Sequence, residues 1–349
     1  MAKFNKGEWS ELLVFLSVLF DGKLHAADED LNKIDELFYV VLKAIRNNVE
    51  YVIEEHPQLK IINTDGSELV VSTEIFEDEI SSLYKKIKET SGSSFEIEEV
   101  QPLLQKLDIV SIKAQSSQKG DLTVQIHDTY TGFKPTIDFS IKSYIGGAPT
   151  LLNASSATVF SYLVNAPFAD DLIEATNKID GTSKIKDRIA FLNSQGVGLQ
   201  FYKKELDETF SFNLKMIDSR MPDILAGLVL TSYFVKGKKM RDVVKLFCEN
   251  FDESEELMEH KVKDLLVAIA LGMVPKTKWL GIDEANGGYI IVKAEGEIVC
   301  YHIYDRNRLR NYLYQNTKFD SPSSKRTRAG ELFKEDDKVK FRLTCQIRF

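Results

Sequence analysis

The residues with the most distinctive chemistry lie on two short alternating segments in the first half of the chain. The segments are residues 120–128 and residues 135–143. Both alternate apolar and polar residues with a period of two, which predicts two antiparallel strands that each bury one face. The turn between them would place Asp121 opposite Lys142 on the polar face, with the two Cβ atoms about 5 Å apart. A carboxylate and an ammonium there could form an ordinary surface ion pair or take part in chemistry.

The same spacing resembles the motif of the PD-(D/E)xK nucleases. That motif consists of an acid, a strand-turn-strand spacer, and then an acid, any residue and a lysine. Asp121 takes the position of the first acid and Lys142 that of the lysine, whereas Gly120 stands in place of the proline and Ser140 in place of the second acid. Because many hairpins carry one Asp and one Lys on a solvated face, the rest of the chain must decide between the two interpretations.

An acidic residue near the N-terminus is the first candidate to complete the site. Residues 6–20 have the apolar spacing of a helix that is buried on most of its surface. Glu11 lies on a mainly apolar side of that helix. Its carboxylate could stay hydrated in the first turn, where it favours the helix dipole. Alternatively, the helix packs beside the hairpin and brings Glu11 to a metal ion, with Glu8 as the second choice.

Length and composition limit the class of protein. The chain has 349 residues, of which 43% are hydrophobic, which is enough for one large α/β unit or two domains. No apolar run approaches about 18 residues and no basic-apolar leader is present, so we expect neither a membrane span nor a signal peptide. Three widely spaced cysteines, Cys248, Cys300 and Cys345, favour reduced thiols in a cytoplasmic protein.

The charge is unevenly distributed, although the net charge of −8 argues mildly against a nucleic-acid partner. Residues 1–100 hold 10 basic and 21 acidic side chains, whereas residues 318–349 hold 9 basic and 5 acidic ones. The local field matters more to a polyanion than the total charge does. The basic segment at residues 316–330 could therefore contact phosphates and base edges, or it could be a solubilising surface loop. The residues that we expect to contact DNA are Lys119, Asn153, Lys318, Lys325, Arg326 and Arg328.

Other segments have clear local patterns but carry no chemistry. Residues 37–45 could be a buried strand or part of a helix, since a short apolar run does not discriminate. Residues 61–71 and 287–304 predict hairpins, and the segment from Val159 predicts an apolar helix capped by Asn153 or Ser155. The amides at the start of that helix would suit a phosphate. Further helices are predicted at residues 75–89, 100–107, 184–194, 222–234, 239–250 and 254–271.

Several separated stretches, in order, resemble the HpaII-type restriction endonucleases over residues 5–349. The resemblance implies an α/β fold with a PD-(D/E)xK core, a mixed sheet flanked by helices, and additional helical and hairpin elements. It also implies Mg²⁺-dependent cleavage of double-stranded DNA at a short palindrome, with CCGG the best-known target of the family, and 5′-phosphate ends. The stretches are KGEWSEL at 6–12, DEDLNKI at 28–34, FSIKS at 139–143, TLLNA at 150–154, GGYI at 287–290, SPSSKR at 321–326 and LTCQIRF at 343–349.

Within this resemblance, the expected catalytic residues are Asp121, Ser140, Lys142 and Glu11. Ser140 departs from the acidic position, so Glu11 would supply the missing carboxylate. Asp121, the backbone carbonyl of Ile141 and Glu11 would hold Mg²⁺, which prefers oxygen ligands. Lys142 would orient the attacking water. Arg326 and Arg328 could pair bidentately with guanine.

We expect residues 1–165 to contain the nuclease core and residues 166–349 to form a helical region with a DNA-contacting β and basic segment, both packed as one unit. A homodimer and a companion DNA methyltransferase are the expected partners. The alternative function is a sequence-specific DNA-binding protein with an inactive nuclease core, which Ser140 would favour. A second alternative is a metal-independent enzyme or an interaction protein in which the hairpin is only structural. Scattered histidines disfavour a zinc enzyme, and the lack of a GxxxxGK[ST] motif disfavours nucleotide hydrolysis.

Overall fold

The computed structural model describes residues 3–55, 57–109, 112, 120–129, 131–164, 169–322 and 327–349. The chain divides into two compact units. Unit 1 contains Met1–Pro149 and Asp283–Tyr312, and unit 2 contains Thr150–Ile282 and Leu313–Phe349. This division differs from the expected boundary at residue 165, because a hairpin from late in the chain adds to the sheet of unit 1.

The helices of the described residues are α1 (Lys6–Asp21), α2 (Phe76–Glu89), α3 (Gln101–Lys106), α4 (Ala169–Lys178), α5 (Lys184–Ser194), α6 (Glu208–Ile217), α7 (Met221–Ser232), α8 (Met240–Phe251), α9 (Glu255–Ala270) and α10 (Arg306–Asn316). The strands are β1 (Lys23–Ala27), β2 (Lys33–Arg46), β3 (Val49–Ile53), β4 (Gln58–Ile62), β5 (Glu68–Ser72), β6 (Leu122–His127), β7 (Thr136–Ser143), β8 (Thr150–Leu152), β9 (Val159–Val164), β10 (Leu199–Phe201), β11 (Gly288–Val292), β12 (Ile298–His302), β13 (Lys318–Phe319), β14 (Leu332–Glu335), β15 (Lys338–Thr344) and β16 (Ile347–Arg348).

A mixed sheet dominates unit 1, with the strand order β1-β12-β11-β7-β6-β2-β3-β4-β5. Strand β11 runs parallel to β7, and β1 runs parallel to β12. Strand β1 also pairs with β2, so the six strands from β1 to β2 in this order form a closed ring. The expected mixture of helices and a mixed sheet is confirmed, whereas the closure was not expected and the PD-(D/E)xK core stays a prediction.

Helix α1 packs in the core of unit 1. Asn5 caps it by accepting a hydrogen bond from the Glu8 N–H, and Glu8 accepts one from the Asn5 N–H in return. Gly22 ends the helix in the left-handed conformation, with φ 62°. The buried side chains of α1 belong to one apolar cluster with the inner faces of β6 and β7. The helix that carries Glu11 is therefore packed against the hairpin that carries Asp121.

Unit 2 contains α4 to α9 and two small sheets, with strand orders β10-β9-β15-β14 and β13-β16-β8. The segment from Val159 is strand β9, not the expected helix, and it pairs with β15 and β10. A six-residue, mainly apolar segment does not distinguish the two structures by its periodicity, but its aromatic and β-branched residues favour a strand. Because only a short turn at Ser156–Thr158 precedes it, the expected phosphate site at a helix start is absent there.

Most of the other local predictions are confirmed. The hairpin at residues 61–71 corresponds to β4 and β5, and that at residues 287–304 to β11 and β12. The ambiguous segment at residues 37–45 lies in the long strand β2. The helices predicted at residues 75–89 and 184–194 correspond to α2 and α5. Within the described part of the chain, no helix combines the length and the apolar character that crossing a membrane requires.

Candidate active site

The central hairpin forms as predicted, but its register is shifted. Strands β6 and β7 are antiparallel, and Leu122 pairs with Phe139. Continued by one residue, this register sets Asp121 opposite Ser140 and not opposite Lys142. The apolar face is buried as expected, since Leu122 and Phe139 are 3% and 0% exposed. Asp121, directly before β6, and Lys142 in β7 are thus two residues out of the expected cross-strand alignment.

Strand β7 fixes the carboxylate of Asp121. The backbone N–H of Ile141 donates to Asp121 Oδ2 at 2.7 Å, and the hydroxyl of Ser140 donates to the same oxygen at 3.2 Å. The chain before Asp121 approaches β7 closely, because a Cβ added at Gly120 would lie 2.7 Å from Asp138 Cβ. Ser140, which replaces an acid of the motif, therefore orients the first acid through a hydrogen bond.

Glu11 shares an electrostatic environment with the hairpin. Its half-buried side chain has a pKa raised from 4.5 to about 8, first by burial and then by the charge of Asp121. The charges of Arg46 and Lys142 act in the opposite direction. Fold and charge thus bring together three of the predicted catalytic side chains, Glu11, Asp121 and Lys142. Glu8, the second choice, takes part in the cap of α1.

Arg46 is a component of this region that the sequence did not predict. It ends strand β2, is 3% exposed and donates a hydrogen bond to the backbone carbonyl of Ile112. Its guanidinium also lies over the ring of Phe15 in α1, 5.2 Å from the centroid. Burial lowers the pKa of Arg46, and the nearby charge of Glu11 opposes this shift. A cation directly after an apolar run was the one local signal, and it did not place Arg46, because the run was compatible with either a helix or a strand.

The oxygen ligands available near Asp121 are few. In the described residues, no group of three or more His, Cys, Asp or Glu side chains is arranged to hold a metal ion. Mg²⁺, however, is commonly held by one or two carboxylates and keeps several of its waters. Because Asp121 raises the pKa of Glu11, a divalent cation between the two acids would relieve their repulsion. The residues present therefore fit an Mg²⁺ ion better than an ion that requires a full protein cage.

The residues expected to contact DNA are only partly described. Lys119, Lys325 and Arg326 lie outside the described residues. Lys318 lies in β13 of the three-stranded sheet of unit 2, and Asn153 is exposed directly after β8 of the same sheet. Arg328 forms an ion pair with Glu331 at 3.3 Å. Its guanidinium also lies 4.0 Å from the centroid of the Phe333 ring. Their role in DNA binding stays a prediction.

The comparisons with known proteins agree over nearly the whole chain. The sequence model of the HpaII restriction endonuclease family matches residues 5–349. A curated relative, the type II restriction enzyme HpaII of Haemophilus parainfluenzae, is 38% identical over 355 aligned positions, which cover 99% of this chain and 98% of the relative. No solved structure matches the chain significantly. The chain belongs to the HpaII restriction endonuclease family.

Proposed function

We propose that this chain is a type II restriction endonuclease that cuts both strands of DNA at a short palindrome related to CCGG, requires Mg²⁺ and leaves 5′-phosphate ends. The observation that carries the proposal is the end-to-end match to a type II restriction enzyme, with 38% identity over 99% of the chain. Family membership gives the class of reaction, which is site-specific hydrolysis of DNA phosphodiesters. The metal, the sequence and the ends go beyond that match.

The chemistry would take place at Asp121, Glu11 and Lys142. Asp121, Glu11 and the carbonyl of Ile141 would hold Mg²⁺, which would lower the pKa of the attacking water and offset charge on the leaving 3′ oxygen. The two hydrogen bonds from β7 hold the Asp121 carboxylate in one orientation before the metal arrives. Such preorganisation lowers the reorganisation required during the reaction.

Lys142 would position the water. A protonated lysine has no lone pair to accept a proton, so it can orient the nucleophile and stabilise the phosphorane-like charge but cannot act as the base. Its neighbour on β11 is Ile291, so an apolar residue stands beside it in the sheet. That surrounding favours interaction of the ammonium with nearby carboxylates and with the phosphate.

Ser140 bears on the rival function, a DNA-binding protein with an inactive nuclease core. A motif that has lost an acid to a neutral residue could have lost activity. Ser140, however, donates a hydrogen bond to Asp121 at 3.2 Å, and Glu11 in α1, whose pKa the charge of Asp121 raises, would supply the second carboxylate. Both observations favour an active site with a relocated acid.

The remaining parts of the proposal concern partners and cellular context. A palindromic site has two-fold symmetry, which a homodimer would match by placing one active site on each strand. A cell that contains such an enzyme must protect its own DNA, so a companion methyltransferase and a cytoplasmic location belong to the proposal.

Cleavage of unmethylated plasmid DNA tests the proposed function directly. The purified chain is incubated with the plasmid in Mg²⁺ or in EDTA, and the ends of the products are sequenced. We expect discrete fragments in Mg²⁺ and none in EDTA. The fragments should end at CCGG-containing sites and carry ligatable 5′ phosphates. Prior methylation of the CCGG cytosines gives a matched control substrate. Retarded but uncut DNA in Mg²⁺ would instead support the inactive DNA-binding protein.

A further inference from the structure

Three cations occupy directly paired positions at the β13 side of the three-stranded sheet of unit 2. Lys318 in β13 pairs directly with Arg348 in β16, and an isolated antiparallel bridge pairs Lys239 with Lys318 on the other side. Directly paired residues of antiparallel strands have their side chains on the same face. Lys239, Lys318 and Arg348 therefore form a cationic row on one face.

Like charges in directly paired positions destabilise a sheet, so the cationic row requires compensation. Asp320 provides part of it, since its Oδ2 lies 3.3 Å from Arg348 Nε. Lys239 is exposed, and Lys318 and Arg348 are half-buried. Asp320 thus offsets part of the charge of Arg348, and the exposed side chain of Lys239 leaves positive charge of the row open to solvent.

Lys238 adds a fourth cation beside the row. Its Nζ donates to the hydroxyl of Ser321 at 2.6 Å and lies 3.7 Å from the centroid of the Tyr233 ring. Its backbone adopts a left-handed conformation, with φ 54°, directly after Gly237. Burial lowers the pKa of Lys238 to about 8, and the charge of Asp320 opposes that shift. A bound anion nearby would stabilise the charged form of this ammonium and raise its pKa again.

We propose that the cationic row, together with Lys238, contacts phosphates of the DNA substrate. The inference rests on the proposed function, since it takes DNA as the ligand. Adjacent strands are about 4.8 Å apart, so the row spans about 10 Å, a length over which duplex DNA carries about six phosphate charges. Duplex DNA therefore offers more phosphates over this length than the row has cations, so each cation of the row can contact a phosphate.

Two residues that the sequence analysis expected to contact DNA lie at this sheet, Lys318 within it and Asn153 directly after one of its strands. Arg348 pairs with Thr150 in β8, and Asn153 follows the end of that strand. Phosphate contacts by the row would fix the position of the DNA backbone along the sheet, whereas base edges require polar side chains at its border. Lys238, Lys239 and Arg348 are the contacts that the sequence pattern alone did not suggest.

The salt dependence of DNA binding tests the inference. Affinities of the full-length chain for a duplex with CCGG and for one without it are measured by fluorescence anisotropy at several KCl concentrations, with Ca²⁺ in place of Mg²⁺. The variants are Lys238→Gln, Lys239→Gln, and Lys239→Gln combined with Arg348→Gln. Lys334→Gln, an exposed lysine of β14 in the same unit, is the matched control.

Each lost phosphate contact should reduce the slope of log K against log salt by about 0.9, so the double variant should lose about 1.8. The affinity of each variant should fall equally for the two duplexes, while Lys334→Gln should keep the wild-type slope. The melting temperature of Lys239→Gln should not fall, because the substitution relieves a like-charge pair. A double variant with the wild-type slope, in a preparation that still cuts DNA, would overturn the inference alone. A wild type that neither binds nor cuts DNA would overturn the proposed function.

Discussion

Without bound metal, the protein should lose stability as the pH rises through the raised pKa of Glu11, and Glu11→Gln should abolish this loss. Burial, followed by the charge of Asp121, raises the pKa of Glu11 from 4.5 to about 8. In the unfolded chain this carboxyl is hydrated and titrates near its ordinary value. Between the two values the folded state holds a proton that the unfolded state has released. The stabilisation is therefore complete below pH 4.5 and is lost as the pH rises through 8.

The magnitude follows from the two pKa values. At 1.36 kcal/mol per pKa unit, ionisation of Glu11 should lower the free energy of unfolding by about 3 kcal/mol between pH 6 and pH 9. Glutamine keeps the shape of the side chain and removes the charge, so the variant should lack this decrease. Glu77→Gln, at an exposed position in α2, is a control that should keep it.

The assay is urea unfolding in EDTA at pH 6, 7, 8 and 9 for wild type and both variants. The difference in unfolding free energy between Glu11→Gln and wild type should grow by about 3 kcal/mol across this range. Calorimetry should also show that Mg²⁺ binding at pH 7 releases about 0.9 proton from the wild type and fewer from Glu11→Gln. Parallel stability profiles for the two proteins would refute the placement of Glu11 in a desolvated site beside Asp121.

Three further substitutions test the surroundings of the site. Gly120→Ala would place a Cβ 2.7 Å from Asp138 Cβ, and it should lower stability in guanidinium unfolding by about 1–3 kcal/mol; no loss would contradict the close approach. Arg46→Met removes the hydrogen bond to the buried carbonyl of Ile112 and should lower stability by about 1–3 kcal/mol, more than Lys43→Met on the same strand; equal losses would argue against the burial of that hydrogen bond. Burial lowers the pKa of His302 to about 4, so stability should fall by about 3 kcal/mol from pH 6.5 to pH 4 relative to His302→Gln, and a flat difference would count against that burial.

The hairpin was predictable because its alternation requires only local sequence, but its register was not. The N–H of Asp128 donates to the carbonyl of Phe133 at 3.0 Å, and the N–H of Gly132 donates to the carbonyl of Asp128 at 2.8 Å. The loop therefore closes one residue earlier than the expected centre, which moves every cross-strand pair by two residues. Hydrogen bonds within the loop decide this, and the alternation is the same in both registers.

Pairings between distant parts of the chain were harder to predict from the sequence. The closed ring depends on pairing of β1 with β12, which comes from a distant part of the chain, as Ala26 with Cys300. No local pattern specifies such a partner. Glu11 could be singled out because an acid on an apolar helix side requires a reason. Arg46 could not, because the apolar run before it was compatible with either a helix or a strand.

Single-turnover cleavage by variants of the central hairpin tests most directly whether Asp121 and Lys142 form the active site. Asp121→Ala and Lys142→Ala are compared with wild type and with Gln125→Ala, a control on the polar face of β6. We expect both site variants to bind a CCGG duplex as tightly as the wild type does but to cut it at least about 10²- to 10³-fold more slowly in Mg²⁺, while Gln125→Ala cuts normally. Wild-type cleavage by either Asp121→Ala or Lys142→Ala would place the active site elsewhere in the chain.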